Sequence, residues 1–326
     1  MTEISIIGGG RGNPNVAYPM ALTDDTPITL TNQSPRNILL TGSASGVNVV
    51  LPDATTLTVG DTWTIKNASS EFVVVQNSGT ASSAFEFVAP RASIEIACSG
   101  KANADGTWVW DRSDYLKMKS MKGRDYDTLD NNTITGTSAS GTGAAVNQGY
   151  NGNLSLQTGT TSTGRIGGTL NNACFTGSTG NQGAMILDVA ASFPSGLSDV
   201  TDEYWAMLGI HSQFNGTIEN GFFWRYDRAT YGDAKFRRVL AEAGVMTPTD
   251  TGISATVSFR RLTLVTNSAK NRIDWYIDKT LVGTDTGVTF ANILEPDFVI
   301  VKTVGTNNRH LRIDRISFWV ALPERV

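Results

Sequence analysis

Two histidines and two cysteines are all that the 326 residues offer of the side chains that most often bind transition metals or act as nucleophile and base. Cys98 and Cys174 lie too far apart to suggest a disulfide framework or a zinc site, so both read as free or buried thiols. Charge is also scarce: 17% of residues are charged, against roughly 25% in typical soluble domains. The balance is 26 Lys plus Arg against 30 Asp plus Glu, a net −4. Without a basic cluster, nucleic acid is not an expected partner, because phosphates demand Lys and Arg. No apolar run is long enough to span a bilayer. Met1–Asn15 is Gly-rich and polar where an export signal needs an apolar stretch, so no export is expected. Neither a cofactor nor a metal is expected.

What replaces the missing charge is small and polar: 33 Gly and about forty Thr. Thr favours pleated strands, while Gly and Asn supply tight turns, so the composition is that of an all-β protein. The length allows two or three domains.

Four segments follow along the chain. Residues 1–20 (MTEISIIGGGRGNPNVAYPM) hold three consecutive glycines and two prolines, which disfavour helix and long strand; an extended arm that orders on a partner is expected. Residues 21–112 alternate short strands with turn signals at spacings near ten residues, which points to a small antiparallel sandwich or barrel. Within it, Ile94 and Ile96 face inward from SIEIA, and Trp108 and Trp110 share a face opposite Val109. Residues 113–150 read as a connector: a short helix with Tyr115, Met118 and Met121 on one side, ended by Gly123, then a Thr/Ser/Gly-rich loop. Residues 151–326 read as a second, larger β domain. Its last strand, Leu311–Val320, changes parity after Ile313, which predicts a bulge near Asp314–Arg315. Ala234–Ala243 (AKFRRVLAEA) has helix-forming composition in strand surroundings, and both assignments stand.

Candidate chemistry is sparse. Ile6–Asn13 (IIGGGRGN) lacks the third glycine of a dinucleotide turn and the helix after it. His211 and His310 read as polar strand-end residues, and no nucleophile elbow accompanies them. Asp199, Asp202 and Glu203, and likewise Glu295 and Asp297, read as solvated turn acids. A glycosidase would need its acids two or four apart on one strand face. No catalytic residue is therefore assigned. Trp224, Arg225 and Tyr226, in the strand FFWRY, are the candidate carbohydrate-binding residues, because exposed rings stack on sugar faces beside hydrogen-bonding groups. Trp275 and Tyr276 pose the same question.

In the second domain, Arg272–Thr284 (RIDWYIDKTLVGT) is similar to a hairpin of concanavalin A-like, laminin-G-type jelly rolls. Leu262–Asn267 (LTLVTN) and Ile313–Val320 (IDRISFWV) match the strands before and after it. Lys279 departs from the glycine usual in that turn. The enzymes of the family carry an E-x-D-x-x-E strand, which this sequence lacks. Ser155–Gly168 and Glu219–Asp227 resemble segments of jelly rolls in bacteriophage virion proteins, and the first domain resembles small β modules of phage tail fibres. The resemblance implies an all-β chain, a small sandwich or barrel followed by a concanavalin A-like jelly roll. It implies a non-enzymatic virion-surface protein anchored by Ile6, Ile7, Gly8, Gly9, Gly10 and Arg11. Its partners would be other virion proteins, further copies of itself (trimers are common in such proteins) and host-surface glycan. A capsid decoration protein and a glycan depolymerase are the alternatives.

Overall fold

The computed structural model describes residues 17–23, 26–79, 84–111, 121–126, 134–147, 154–170, 175–176, 183–212, 218, 220–289 and 293–321. The anchoring residues expected at Ile6–Arg11 and Cys174 lie outside these; Cys98 is a buried free thiol.

Six strands open the fold: β1 (Tyr18–Leu22), β2 (Ile28–Thr29), β3 (Asn37–Gly42), β4 (Asn48–Val50), β5 (Thr62–Asn67) and β6 (Val73–Gln76). The odd-numbered strands pair side by side in one sheet and the even-numbered strands in another, all parallel. The chain thus winds as three coils of a solenoid: the first module is a two-sheet sandwich as expected, but these six strands run parallel where antiparallel ones were expected. Strand spacing and a two-residue period fix which face is buried, not which strand is the neighbour. Then β7 (Ala84–Val88), β8 (Ser93–Gly100) and β9 (Thr107–Asp111) turn back antiparallel. Sheet I has the order β1-β3-β5-β8-β9 and sheet II β2-β4-β6-β7. As the alternation predicts, Ile94 and Ile96 are buried and Val109 is exposed.

The remainder is a jelly-roll sandwich of two eight-stranded antiparallel sheets. It opens with β10 (Met121–Tyr126), β11 (Ile134–Ser140), β12 (Ala144–Asn147), β13 (Leu154–Gln157), β14 (Arg165–Leu170), β15 (Phe175–Thr176) and β16 (Met185–Ser192). Next come β17 (Tyr204–His211), β18 (Gly221–Asp227), a single helical turn α1 (Arg228–Tyr231), β19 (Lys235–Glu242) and β20 (Val245–Ser254). It closes with β21 (Arg260–Thr266), β22 (Arg272–Ile277), β23 (Thr280–Thr286), β24 (Ile293–Lys302) and β25 (His310–Ala321). Sheet III runs β12-β13-β25-β16-β21-β22-β23 with β10 beside β25; sheet IV runs β11-β14-β24-β17-β18-β19-β20 with β15 beside β24.

Two expectations are corrected here, and one assignment left open is decided. The supposed arm ends before Tyr18, because residues 18–22 pair with β3. Much of the supposed connector is sheet: β10, β11 and β12 all belong to the sandwich, and Met121–Gly123 is strand where a helix end was expected. A helix of that length has little stability of its own, whereas an edge strand satisfies its backbone on β25. The remainder of the expected helix, 113–120, lies outside the described residues. Ala234–Ala243 resolves as strand β19, where Phe236, Val239 and Ala241 are buried and tertiary packing overrides helix propensity.

The four sheets stack in the order I, II, III, IV. One apolar core lies between III and IV, with Trp224, Trp275, Phe298 and Phe318 among its residues. A second fills the space between I and II and continues to the outer side of III, where Ile186, Val265 and Tyr276 join it. At that joint Phe87 meets Tyr276 edge-on, ring centroids 5.1 Å apart. Buried Glu71 accepts hydrogen bonds from the Ser268 N–H at 2.8 Å and from the Ser268 hydroxyl. Gly46, at φ +76°, lies against the Arg272 guanidinium, where a Cβ would come within 2.3 Å. The outer side of sheet I and the outer side of sheet IV form the two ends of the stack.

Candidate functional site

Trp224 and Tyr226 do not lie on an open face. Both point into the core between sheets III and IV and are 1% and 0% exposed. Trp224 meets Trp275 edge-on at 5.0 Å, and the Tyr226 oxygen accepts from the Ser198 N–H at 2.8 Å. Strand parity is the reason: Arg225 takes the outward position, so its two neighbours turn inward. Trp275 is likewise core, and Tyr276 is covered by the first module.

The outer face of sheet IV is built from the opposite parity. Register across β14, β24, β17 and β18 aligns Arg165, Val301, Trp205 and Asp227 in one row. The next row carries Gly167, Val299, Met207 and Arg225, then Arg237 and Asp250 on β19 and β20. A third holds Thr169, Asp297, Gly209, Phe223 and Val239. Met207, Phe223, Val239 and Val299 form an apolar cluster sealed with Ile218, and half-buried Trp205 and Val301 pack against it.

At one end of this face, charge surrounds the rings. Arg225 lies over Trp205, its guanidinium carbon 5.3 Å from the ring centroid, and donates from Nη2 to Asp227 Oδ2 at 2.6 Å. Its Nε–H is buried without a hydrogen-bond partner among the described residues. Asp227 caps the turn α1 by accepting from the Thr230 N–H at 3.0 Å and its hydroxyl at 2.8 Å. That turn swings Tyr231 across the face, 5.0 Å from the Arg237 guanidinium, and Gly232 at φ +75° ends it. Arg237 donates to both oxygens of Asp233 at 2.9 Å and to Asp250 at 3.1 Å. Lys235 reaches Asp250 at 2.9 Å. The Arg237 hydrogen bonds hold Asp233 below the usual carboxylate range, and the Gly252 N–H followed by Lys235 does so for Asp250. Burial raises Tyr231, against the lowering influence of Arg225. Three cations thus face three carboxylates, and the cluster carries no net charge.

The other end of the face holds acids that were expected in turns. Glu295 and Asp297 lie two apart on the outward side of β24. Pro296 falls between the pairing of β24 with β14 and its pairing with β15, and on the other side it stands opposite Ile210 of β17. Asp297 Oδ2 is 3.2 Å from His211 Nε2, with both side chains 1% exposed. Burial, reinforced by the charge of Glu295, pushes the Asp297 carboxyl well above its ordinary value, against the Phe298 N–H. The imidazole lies edge-on to Phe223 at 5.9 Å. Gly221 makes room for it, since a Cβ there would come within 2.5 Å of the His211 Cβ. Of the other candidates, His310 is half-buried at the start of β25. Asp199 stays in a turn, where Thr201 and the Asp202 N–H lower it to about 2. Asp202 is buried instead, accepting from the Asn307 N–H at 3.0 Å.

Of the residues singled out from the sequence Arg225 lies on this face, and Trp205 and Tyr231 beside it were not among them. The signal for Trp205 was present: in YWAMLGIH, Tyr204, Ala206, Leu208 and Ile210 alternate inward, which leaves Trp205 and Met207 outside. Tyr231 carried no such signal, because only the α1 turn places it.

No protein-family model matches the chain, and neither does any curated protein sequence. Solved structures with a similar fold include a protein of unknown function from Shewanella oneidensis MR-1. It is 15% identical with a TM-score of 0.45, covering 67% of this chain and 98% of that one. Another is the seed lectin of Lotus tetragonolobus, 11% identical with a TM-score of 0.42, covering 62% and 100%. A third is the kappa-carrageenase of Pseudoalteromonas carrageenovora, 12% identical with a TM-score of 0.38, covering 65% and 100%.

Proposed function

We propose that the outer face of sheet IV binds an uncharged or weakly charged glycan, around Trp205, Arg225 and Tyr231, without turning it over. The observation that carries this reading is the neutral lattice of Arg225, Arg237 and Lys235 with Asp227, Asp233 and Asp250 beside two rings. Sugars present an apolar ring face and hydroxyls that both donate and accept. Aromatic rings with interleaved cations and carboxylates answer both features, whereas an anion or a cation would find half the groups repulsive. A glycan array probed with the full chain, followed by titration of the best ligand, tests it. Trp205→Ala is expected to weaken binding at least about tenfold; undiminished binding by that variant sinks the proposal.

On the sequence resemblance we further propose that the chain is displayed on a phage particle, anchored near residues 1–20. Oligomerisation would then multiply weak single-site affinity into avidity. Locating the protein in intact particles by electron microscopy tests this: density on capsomers would favour decoration, density at the tail adhesion, and absence would end the virion reading.

Hydrolysis is the second reading, favoured by Glu295 and Asp297 sharing a strand face beside His211. Against it, Asp297 is sealed from solvent, and the position three further along the strand is the core residue Ile300. A time course of reducing ends released from bound oligosaccharide separates the two readings.

A further inference from the structure

We infer that Met246 is a redox modification site: a peroxide converts its thioether to the sulfoxide, which draws the Arg225 guanidinium away from Trp205. A contact between the two side chains carries this inference, Arg225 Nη1 donating to Met246 Sδ at 3.6 Å. β20 is the last strand of sheet IV, with β19 on one side only. Met246 pairs there with Ala241, a member of the outer apolar cluster, so its side chain leaves the sheet on the same side as Arg225. It is 37% exposed, whereas Met20, Met185 and Met207 are 6%, 0% and 6%. Oxidation follows exposure, so in the folded chain Met246 reacts ahead of these three.

The chemistry needs only the peroxide. A sulfur lone pair attacks one peroxide oxygen, the O–O bond breaks, and the departing hydroxide takes the proton of the transferred hydroxyl. Sulfur gives up two electrons and becomes the sulfoxide; hydrogen peroxide is reduced to water.

Arg225 supplies the consequence. Its guanidinium has one strong partner, Asp227 Oδ2 at 2.6 Å, beside the rings of Trp205 and Tyr231 at 5.3 and 6.0 Å. Its Nε–H is buried without a hydrogen-bond partner among the described residues. A thioether is a weak acceptor, so Nη1 gains little from Met246 in its reduced form. The sulfoxide adds a polar oxygen one bond beyond the sulfur. A hydrogen bond donated to it by a cation is roughly twice as strong as a neutral one. Strand order places Trp205 on β17 and Met246 on β20, on opposite sides of Arg225 on β18. A stronger bond to Met246 therefore pulls the guanidinium off Trp205. The effect on ligand rests on the glycan reading above, since a sugar stacked on Trp205 then loses the donor beside it; the chemistry at Met246 does not rest on it.

The test treats the full chain and Met246→Leu with hydrogen peroxide. Mass spectrometry of peptides follows oxygen uptake at each methionine, and the Arg225 Nε–H and Trp205 indole N–H resonances report the guanidinium without any sugar present. Met246 is expected to oxidise about tenfold faster than Met20, Met185 and Met207. Both resonances are expected to shift with the same time course, and to stay in place in Met246→Leu, which keeps every other oxidisable side chain. Methionine sulfoxide reductases for the two epimers are expected to restore the spectrum. The best glycan-array ligand is expected to bind the oxidised chain about tenfold more weakly, with recovery after reduction. If the untreated chain binds no sugar, the glycan reading fails, and the mass and resonance measurements still decide this inference. Oxidation of Met246 no faster than that of the buried three overturns it. So do unmoved Arg225 and Trp205 resonances in the oxidised chain, or undiminished binding of a sugar that the untreated chain binds.

Discussion

Trp205 and Trp224 sit on adjacent strands with opposite fates. Trp224→Ala would open a cavity beside Trp275 and is expected to cost about 3–5 kcal/mol. Trp205→Ala, on the outer face, is expected to cost about 1 kcal/mol while losing glycan affinity. Denaturant unfolding of both variants measures the difference, and equal losses would contradict the placement of Trp205 outside. The parity that separates them was legible, because a single Arg in FFWRY marks the outward positions; the error lay in counting aromatics before assigning parity. Buried acids were not legible. Asp297 reads as a turn acid because Pro296 precedes it, and only the pairing of β24 with β17 seals it against His211. Its raised carboxyl makes a pH prediction. The folded protein holds this proton more tightly than the unfolded chain. Its contribution to stability is therefore complete below about pH 3.8 and is lost as pH rises through the raised folded value. Asp297→Asn cannot ionise, so its Tm relative to the parent is expected to climb as pH rises above about 4. A constant difference would mean that Asp297 does not carry this pH dependence.

Among the elements, β25 shows how far a sequence pattern reaches. The parity change after Ile313 predicts a bulge, and the pairing with β16 steps from Arg315 to Ile313, leaving Asp314 as the extra residue. Deleting Asp314 would remove the bulge and leave Ile316, Phe318 and Val320 in phase with Ile313, so folded protein is expected to persist, measured as soluble yield and circular dichroism; its loss would mean that the bulge itself is required. The β22–β23 hairpin was legible from its resemblance, including its departure at Lys279. Asp278 and Lys279 stand at φ +49° and +70°, as the mirror-image turn of a two-residue hairpin requires. Lys279→Gly is expected to stabilise by about 1 kcal/mol in urea unfolding; a loss would mean that the Lys279 side chain contributes more than its backbone costs. The solenoid coils were illegible for a different reason. Parallel neighbours such as β3 and β5 are set by which strand returns beside which, and local alternation carries no record of it. Thr-rich β11 likewise read as loop until its pairing with β14 supplied the partner.

On the scale of the whole molecule, the order of layers decides which face is free for ligand. Sheet II occupies the outer side of sheet III through Phe87, Tyr276 and the Glu71–Ser268 contact, so the outward sheet of the jelly roll is sheet IV. The two modules share a core across that joint and are expected to unfold in one calorimetric transition. Removing residues 1–112 would bare Ile186, Val265, Tyr276 and Trp319, and aggregation is expected in light scattering. Two well-separated transitions, or a soluble monomeric fragment, would show that the joint contributes little. The central claim, that glycan lies on the outside of sheet IV, is tested most directly by a crystal structure of the full chain with its best array ligand. The account predicts sugar density against Trp205 within reach of Arg225 and Tyr231. Density confined to the rim of the sandwich or to the first module, with that face bare, would contradict it.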